Sequence, residues 1–378
     1  EQAPGTFVQE KPEVIYQFIE KDLISASQTL PYASDDNERT NTKFSMSKGA
    51  ALGLLTKVYA TWAGYPVNDT SKWEEAAKTA KTLVESRKHG LLNDFEQLWI
   101  NTCNGVWDST ESLIEISFYS PTASGGAGDP CGRIGKWNGV KATMIAGERG
   151  SNAGNVKVIH PFVLKWRNKD LAEGEEYHED LVKDKRLALS VANYLYSPNR
   201  KLCVQGKSDS EEKAKENDRL PEIQNKLINN DKSNANWYFL RYADVLLLYA
   251  EALNEWKGYP TKEAYDAINE VRRRAYGNSE HDLSGLSYDE FCQAVKDERA
   301  YELAFEGHRR MDLVRWGIYY KETYNAINFW FQDNDPEKNK PFNTAGRYTK
   351  LGKHELLPIP QRDMDLCEQF VQNPGWEQ

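Results

Sequence analysis

The chain has no run of about 18 apolar residues: the longest candidate, Val245 to Ala252, is broken by Glu251 and preceded by Asp244, so none of its sequence reads as a membrane-spanning helix. Its first residues, Glu1-Gln2-Ala3-Pro4-Gly5, carry neither a basic stretch nor an apolar one, and they do not read as a secretory signal. Cysteine is scarce and scattered. Cys103, Cys131, Cys203, Cys292 and Cys367 show no Cys-x-x-Cys and no histidine pair at finger spacing, which argues against a zinc module or a disulfide scaffold. Positive charge is in deficit as well: 48 basic residues against 57 acidic give −9, a balance that repels phosphate backbones and anionic lipid.

Catalytic signatures are missing too. Gly150-Ser151-Asn152-Ala153-Gly154 lacks the spacing of a nucleophile elbow, and neither a Walker A sequence nor His-Glu-x-x-His occurs. Asp333-Asn334-Asp335 opens like a calcium loop, yet Lys338 stands where glycine is required and Thr344 where glutamate is required. Gly125-Gly126-Ala127-Gly128 does not fit a dinucleotide fingerprint. With 57 acidic residues, some pair of carboxylates at glycosidase separation can always be nominated, so acidity alone says nothing about hydrolysis. The expectation is a protein without enzymatic activity, metal or cofactor.

What is present is helical periodicity at both ends. Residues 12–29 begin with Pro12, suited to a first turn, repeat Ile15, Phe18/Ile19, Leu23 and Ala26, and stop before Pro31. A second helix spans about 45–63. A third starts at Ser71, with Glu74 placed to complete a capping box, and Gly90 as its stop. Residues 236–256 repeat the layout, followed by a helix from Thr261 to Gly277. Both hairpins turn on Gly-Tyr-Pro, at 64–66 and 258–260, and small residues (Ala60, Ala63, Ala76, Ala77, Ala80) stand where helices would approach. A further helix starts at Ser287, capped by Glu290, and runs to Gly307. The pattern predicts a mainly α fold of tetratricopeptide-like helical hairpins. A loop-rich region with a few short strands interrupts it. Three parts follow: 1–92 helical, 93–235 irregular, 236–378 helical.

Four ordered blocks then narrow the reading. Asn236-Trp237-Tyr238-Phe239-Leu240-Arg241-Tyr242-Ala243-Asp244-Val245-Leu246-Leu247-Leu248-Tyr249-Ala250-Glu251-Ala252-Leu253-Asn254-Glu255 is similar to the signature helix of the SusD/RagB family. Ala267 to Ala275, Glu298 to Gly317 and the close, Leu357-Pro358-Ile359-Pro360 with Gln372-Asn373-Pro374-Gly375-Trp376, resemble that family in the same order. Tyr16 to Pro31 resembles a helix nearer the family's start. The resemblance implies a surface nutrient-binding lipoprotein of a bacterial outer membrane. Such a protein captures a polysaccharide or oligosaccharide and delivers it to a SusC-like TonB-dependent transporter. Peptide-binding members of the family, or a plain tetratricopeptide scaffold, are the alternative. The family's opening segment, a lipoprotein signal, the lipidated cysteine and the first helices, together on the order of 100 residues or more, is expected to lie upstream.

The charged residues of the signature invite a catalytic reading, but their spacing points to structure. Glu302 and Glu306, like Glu306 and Arg310, are four apart, as helix ladders are, and they can pair with Arg241 and Asp244 from the neighbouring hairpin. The ligand is expected elsewhere. A sugar presents flat C–H faces and hydroxyl edges, which call for exposed rings flanked by hydrogen-bonding side chains. Most aromatic residues here, such as Tyr59, Trp73, Tyr249 and Trp256, have periodic apolar neighbours and read as core, as does Trp166. The loop-rich middle offers Trp137 between glycines, Tyr119 at a strand exit and Trp107 after Asn104-Gly105. Arg133, Asn138 and Asp108 stand beside them in the sequence as hydroxyl-binding candidates.

Overall fold

The fold was analysed in a computed structural model, which describes residues 7–35, 45–118, 158–175, 181–191, 227–229, 232–233, 236–330 and 344–377. The elements in chain order are α1 (Pro12–Thr29), α2 (Lys48–Ala63), α3 (Lys72–Glu85), α4 (Phe95–Asn104), β1 (Ser112–Ile116), α5 (His160–Asn168), α6 (Lys185–Ser190), β2 (Leu227–Asn229) and β3 (Lys232–Ser233). They continue with β4 (Trp237–Arg241), α7 (Tyr242–Lys257), α8 (Lys262–Tyr276), α9 (Tyr288–Glu302), α10 (Arg309–Arg315), α11 (Tyr319–Trp330), α12 (Thr344–Tyr348) and α13 (Gln361–Leu366). The mainly α reading, with helical hairpins and a few short strands, holds.

The centre of the molecule is α7. Every residue from Tyr242 to Asn254 is buried, because α2, α3, α8 and α9 all pack against it. Leu52, Leu55 and Tyr59 of α2 meet Leu83 of α3, Val245 to Leu248 of α7, Ile268 and Val271 of α8, and Phe291 and Val295 of α9 in one core. The alanines do what small residues at a crossing allow. Ala60, Ala76, Ala77 and Ala80 are all but fully buried, letting α3 lie close against both α2 and α7. Gly53 marks a similar close approach: a Cβ there would come within 2.8 Å of Leu113 and 3.0 Å of Leu240, on the two paired strands.

Two boundaries differ from the periodicity. The run from 236 to 256 is not all helix: its first residues form β4, antiparallel to β1 with Ile116 opposite Trp237 and Glu115 opposite Tyr238. The aromatic, alternating sequence Trp237-Tyr238-Phe239 suits a half-buried strand, and only from Tyr242 does burial follow a helix. The second difference is in α9, which stops at Glu302 rather than Gly307. Leu303 leaves helical geometry, and Phe305 and Gly307 turn left-handed at φ 67° and 85°.

Capping also separates two similar signals. At Ser287 the box forms in full: the hydroxyl accepts from Glu290 N at 3.4 Å, and the Glu290 carboxylate accepts from Ser287 N at 2.8 Å. At Ser71 it does not. That hydroxyl donates to Asp69 Oδ1 at 2.6 Å, and Ser71 itself has helical angles, so the preceding turn has claimed the side chain. Ser287→Ala is therefore expected to cost about 1 kcal/mol and Ser71→Ala a small fraction of that. Urea denaturation followed by circular dichroism compares them.

α1 packs mainly on α2, and its Glu20 pairs with Lys72 of α3 at 3.1 Å. Its inner stripe is Tyr16, Ile19, Leu23 and Ser27, with Tyr16 stacked on Trp62 at 5.1 Å. Ile15 and Phe18 of the predicted apolar set face outward, 48% and 65% exposed, since one neighbour can cover only one side of a helix.

Candidate functional site

Of the six nominated ligand residues, Tyr119, Arg133, Trp137 and Asn138 lie outside the described residues. Trp107 and Asp108 lie in the short connection from α4 to β1. Gly105 ends α4 in the left-handed conformation (φ 66°), and Val106 N returns to Asn101 O at 2.9 Å, so the chain leaves the helix at a fixed angle. Trp107 is half-buried there. Asp108 Oδ1 accepts from Thr110 N at 3.0 Å and its carbonyl accepts from Ser112 N at 3.2 Å, so the residue shapes the turn that starts β1. Its other carboxylate oxygen, Oδ2, is buried without a hydrogen-bond partner, leaving one acceptor uncommitted.

The floor beneath this connection is polar and closed. Glu115 accepts from Asn236 Nδ2 and from Ser112 Oγ, at 2.8 and 2.9 Å, and burial raises its pKa against those bonds. His89 Nδ1 lies 2.9 Å from Ser109 O, and burial lowers its pKa, holding it neutral. Glu115 is thus held by the side chains of Ser112 and Asn236, and His89 by the backbone of the turn.

The signature's charges form two buried clusters. In the first, Arg241 binds Glu306 through Nε at 2.8 Å and Nη2 at 2.7 Å, and its Nη1 reaches Glu111 at 2.9 Å and Glu302 at 2.6 Å. Arg274 also pairs with Glu111 and Glu302. Arg186 donates to both oxygens of Asp184, at 2.9 and 2.8 Å, and to Glu302 at 2.9 Å. For Glu302, burial raises the pKa, but three guanidiniums outweigh it and the net shift is downward. Glu306 goes the other way, because burial outweighs its bonds to Arg241. In the second cluster, Arg299 joins Asp312 at 3.0 Å to Asp244 at 2.7 Å. Arg315 clamps Glu251 at 2.6 and 2.7 Å, and Lys57 bridges Asp244 and His308, both at 2.8 Å.

These pairs match the structural reading with one correction. Arg241 does take Glu302 and Glu306, and Asp244 takes Arg299. Arg310 does not ladder with Glu306, because α9 has already ended. It donates instead to His354 O at 2.8 Å. Glu111, Asp184 and Arg186 were missed, since they come from the irregular middle where no periodicity flags a buried charge. With every carboxylate of the clusters held by a cation, neither offers the open acid and base that hydrolysis requires. The cavity lined by Glu251, Asn254, Glu255, Cys292, Val295 and Lys296 measures about 10 Å³, room for one water. No group of three or more His, Cys, Asp or Glu among the described residues is placed to hold a metal ion.

Among the described residues, fold and site together define a helical scaffold cross-braced by buried ion pairs. The profile of the SusD family matches residues 111–376, and the chain belongs to that family. A SusD-like protein of Formosa agariphila is 37% identical over 148 residues, 37% of this chain and 25% of that protein. Among solved structures, a SusD homolog from Bacteroides thetaiotaomicron superposes with a TM-score of 0.83 at 57% identity, covering 100% of this chain and 72% of that one. Surface glycan-binding protein A from Bacteroides uniformis shares the fold at 20% identity, TM-score 0.60, covering 97% and 69%. The chain's match to the first curated relatives spans about a quarter of their length. No described helix is long and apolar enough to cross a membrane.

Proposed function

We propose that the chain binds a polysaccharide or oligosaccharide at a bacterial cell surface without altering it, and passes it to a SusC-like TonB-dependent transporter. Family membership over residues 111–376 carries this reading, and the likeness in fold to a protein named for surface glycan binding supports it. The braced scaffold agrees with it, because binding needs a rigid frame under adaptable loops while the buried carboxylates are neutralised by each other's partners. We assign ligand binding to the middle part, 93–235, through Trp107, Asp108, Tyr119, Arg133, Trp137 and Asn138, with the helical parts, 1–92 and 236–378, as its scaffold. Attachment to the outer face of the outer membrane would come from a lipid anchor upstream of the sequence.

Affinity electrophoresis against plant, algal, fungal and host polysaccharides, beside a peptide panel, tests the proposal. Retarded migration with at least one polysaccharide is expected, and Trp137→Ala and Tyr119→Ala should each weaken it by roughly tenfold. Binding to peptides alone would replace the glycan reading. Release of reducing ends by the pure protein would overturn the non-enzymatic one.

A further inference from the structure

The outer side of β4 carries aromatic surface that the core does not use. Side chains alternate along a strand, so Tyr238 and Leu240 point inward and are buried while Trp237, Phe239 and Arg241 share the other face. The turn after α9 lies on that face. Arg241 donates to Glu302 O at 2.6 Å and pairs with Glu306, and Gly307 comes against the Trp237 ring, where an added Cβ would lie 3.6 Å from Cζ2. Phe239, between these two anchor points, is left 44% exposed, and Ile116, which pairs with Trp237 across the strands, 45%.

The turn itself contributes a third ring. Phe305 is 39% exposed and sits at φ 67°, a conformation that costs a bulky residue of order 1 kcal/mol or more and is retained where the fold enforces it. A glycine would take that angle freely, and burial of the ring does not explain the choice of phenylalanine. Among the described residues, none of Trp237, Phe239 or Phe305 stacks on another ring, and no acceptor meets the indole N–H of Trp237.

We propose that Trp237, Phe239 and Phe305, bordered by Ile116, form an aromatic ledge on which successive sugar rings of a glycan chain stack, with the Trp237 indole N–H donating to a sugar hydroxyl. This deepens the carbohydrate-binding reading and rests on it. Two rings two residues apart on one strand face, with a third on the turn that meets that strand, suit an extended chain of repeating flat C–H faces better than one compact ligand. A protein partner would favour a continuous apolar patch with the rings in mutual contact.

The test uses the polysaccharide that binds the wild-type protein most tightly on a printed array of plant, algal, fungal and host polysaccharides. Its affinity is then measured by calorimetry for Phe239→Ala, Phe305→Gly and the double variant, with Tyr259→Ala as control. Tyr259 is 59% exposed in the turn at the far end of α7, about 24 Å along the helix. Single variants should weaken binding by roughly threefold to tenfold and the double variant by more, with melting temperatures within a few degrees of wild type. Phe305→Gly also relieves the left-handed angle, and its melting temperature, read beside its affinity, separates a lost contact from a lost fold. Unchanged affinity in the double variant, or equal loss in Tyr259→Ala, would overturn the ledge and leave carbohydrate binding standing. A wild-type protein that binds no polysaccharide on the array would overturn both.

Discussion

Arg241→Met is expected to lower the free energy of unfolding by about 3–5 kcal/mol, the largest single-residue effect outside the apolar core. The guanidinium is fully buried and satisfies three carboxylates and a carbonyl, so its loss leaves carboxylate charge in a low-dielectric interior with less to offset it. The three carboxylates are not equally stranded. Glu111 and Glu302 keep Arg274, and Glu302 keeps Arg186 as well, whereas Glu306 is bonded to Arg241 alone. Burial already raises the pKa of Glu306, and without Arg241, whose charge and hydrogen bonds lower it, it would rise further. Two measurements follow. The urea midpoint of Arg241→Met should fall steeply at pH 7, and Arg241→Met with Glu306→Gln should recover a substantial part of the loss, since the amide carries no charge to strand. A single-variant loss below about 1 kcal/mol would contradict the bracing role.

That role explains how much of the molecule could be read in advance. Helices α1 and α8 were visible because one face of each meets the core, which leaves a period of 3.6 in the sequence, whereas α7, buried all round from Tyr242 to Asn254, was visible as a long apolar run and by its resemblance to the family signature. Caps were visible in type but not in outcome: Ser71 and Ser287 offer the same box to their helices, and only the fold decides that Asp69 captures one of them. β4 was hidden because its five residues run directly into α7, and Trp237 to Leu240 satisfy a helical pattern as well as a strand pattern. The end of α9 was hidden by the spacing of Glu306 and Arg310, which mimics a ladder across a turn that has left the helix.

The candidate site was less legible for a related reason. A ligand face is built from loops brought together by the scaffold, and neighbours in sequence such as Trp107 and Asp108 indicate only that such a loop exists. Phe239 and Phe305 carried no signal, since each lies within a helix-like apolar run. Their exposure appears only once β4 is known to be a strand and the 303–307 turn is known to cross it.

Acid is expected to weaken the second cluster through His308. The ring is 9% exposed, and burial lowers its pKa to about 4 from the usual 6.5. Asp244 on α7 and Asp312 on α10 pull that value up, while Lys57 on α2 and Arg299 on α9 push it down. At neutral pH the ring is uncharged and Nδ1 accepts from the Lys57 ammonium at 2.8 Å. A proton at Nδ1 would set two positive charges at hydrogen-bond distance with no donor and acceptor between them. The folded pKa lies below the unfolded one, so between about 4 and 6.5 the unfolded chain binds more protons. Stability therefore rises with pH across that window and is lost as pH falls through it. The full shift is worth roughly 3 kcal/mol, complete once pH drops below the folded value. Because the carboxylates of both clusters titrate too, the effect is read as a difference between proteins. His308→Asn keeps an acceptor for Lys57 and removes the titration, so its unfolding free energy should converge on or overtake wild type as pH falls from 7 to 4.5. Parallel curves for the two proteins over that range would show that the Lys57–His308 contact carries no linked proton.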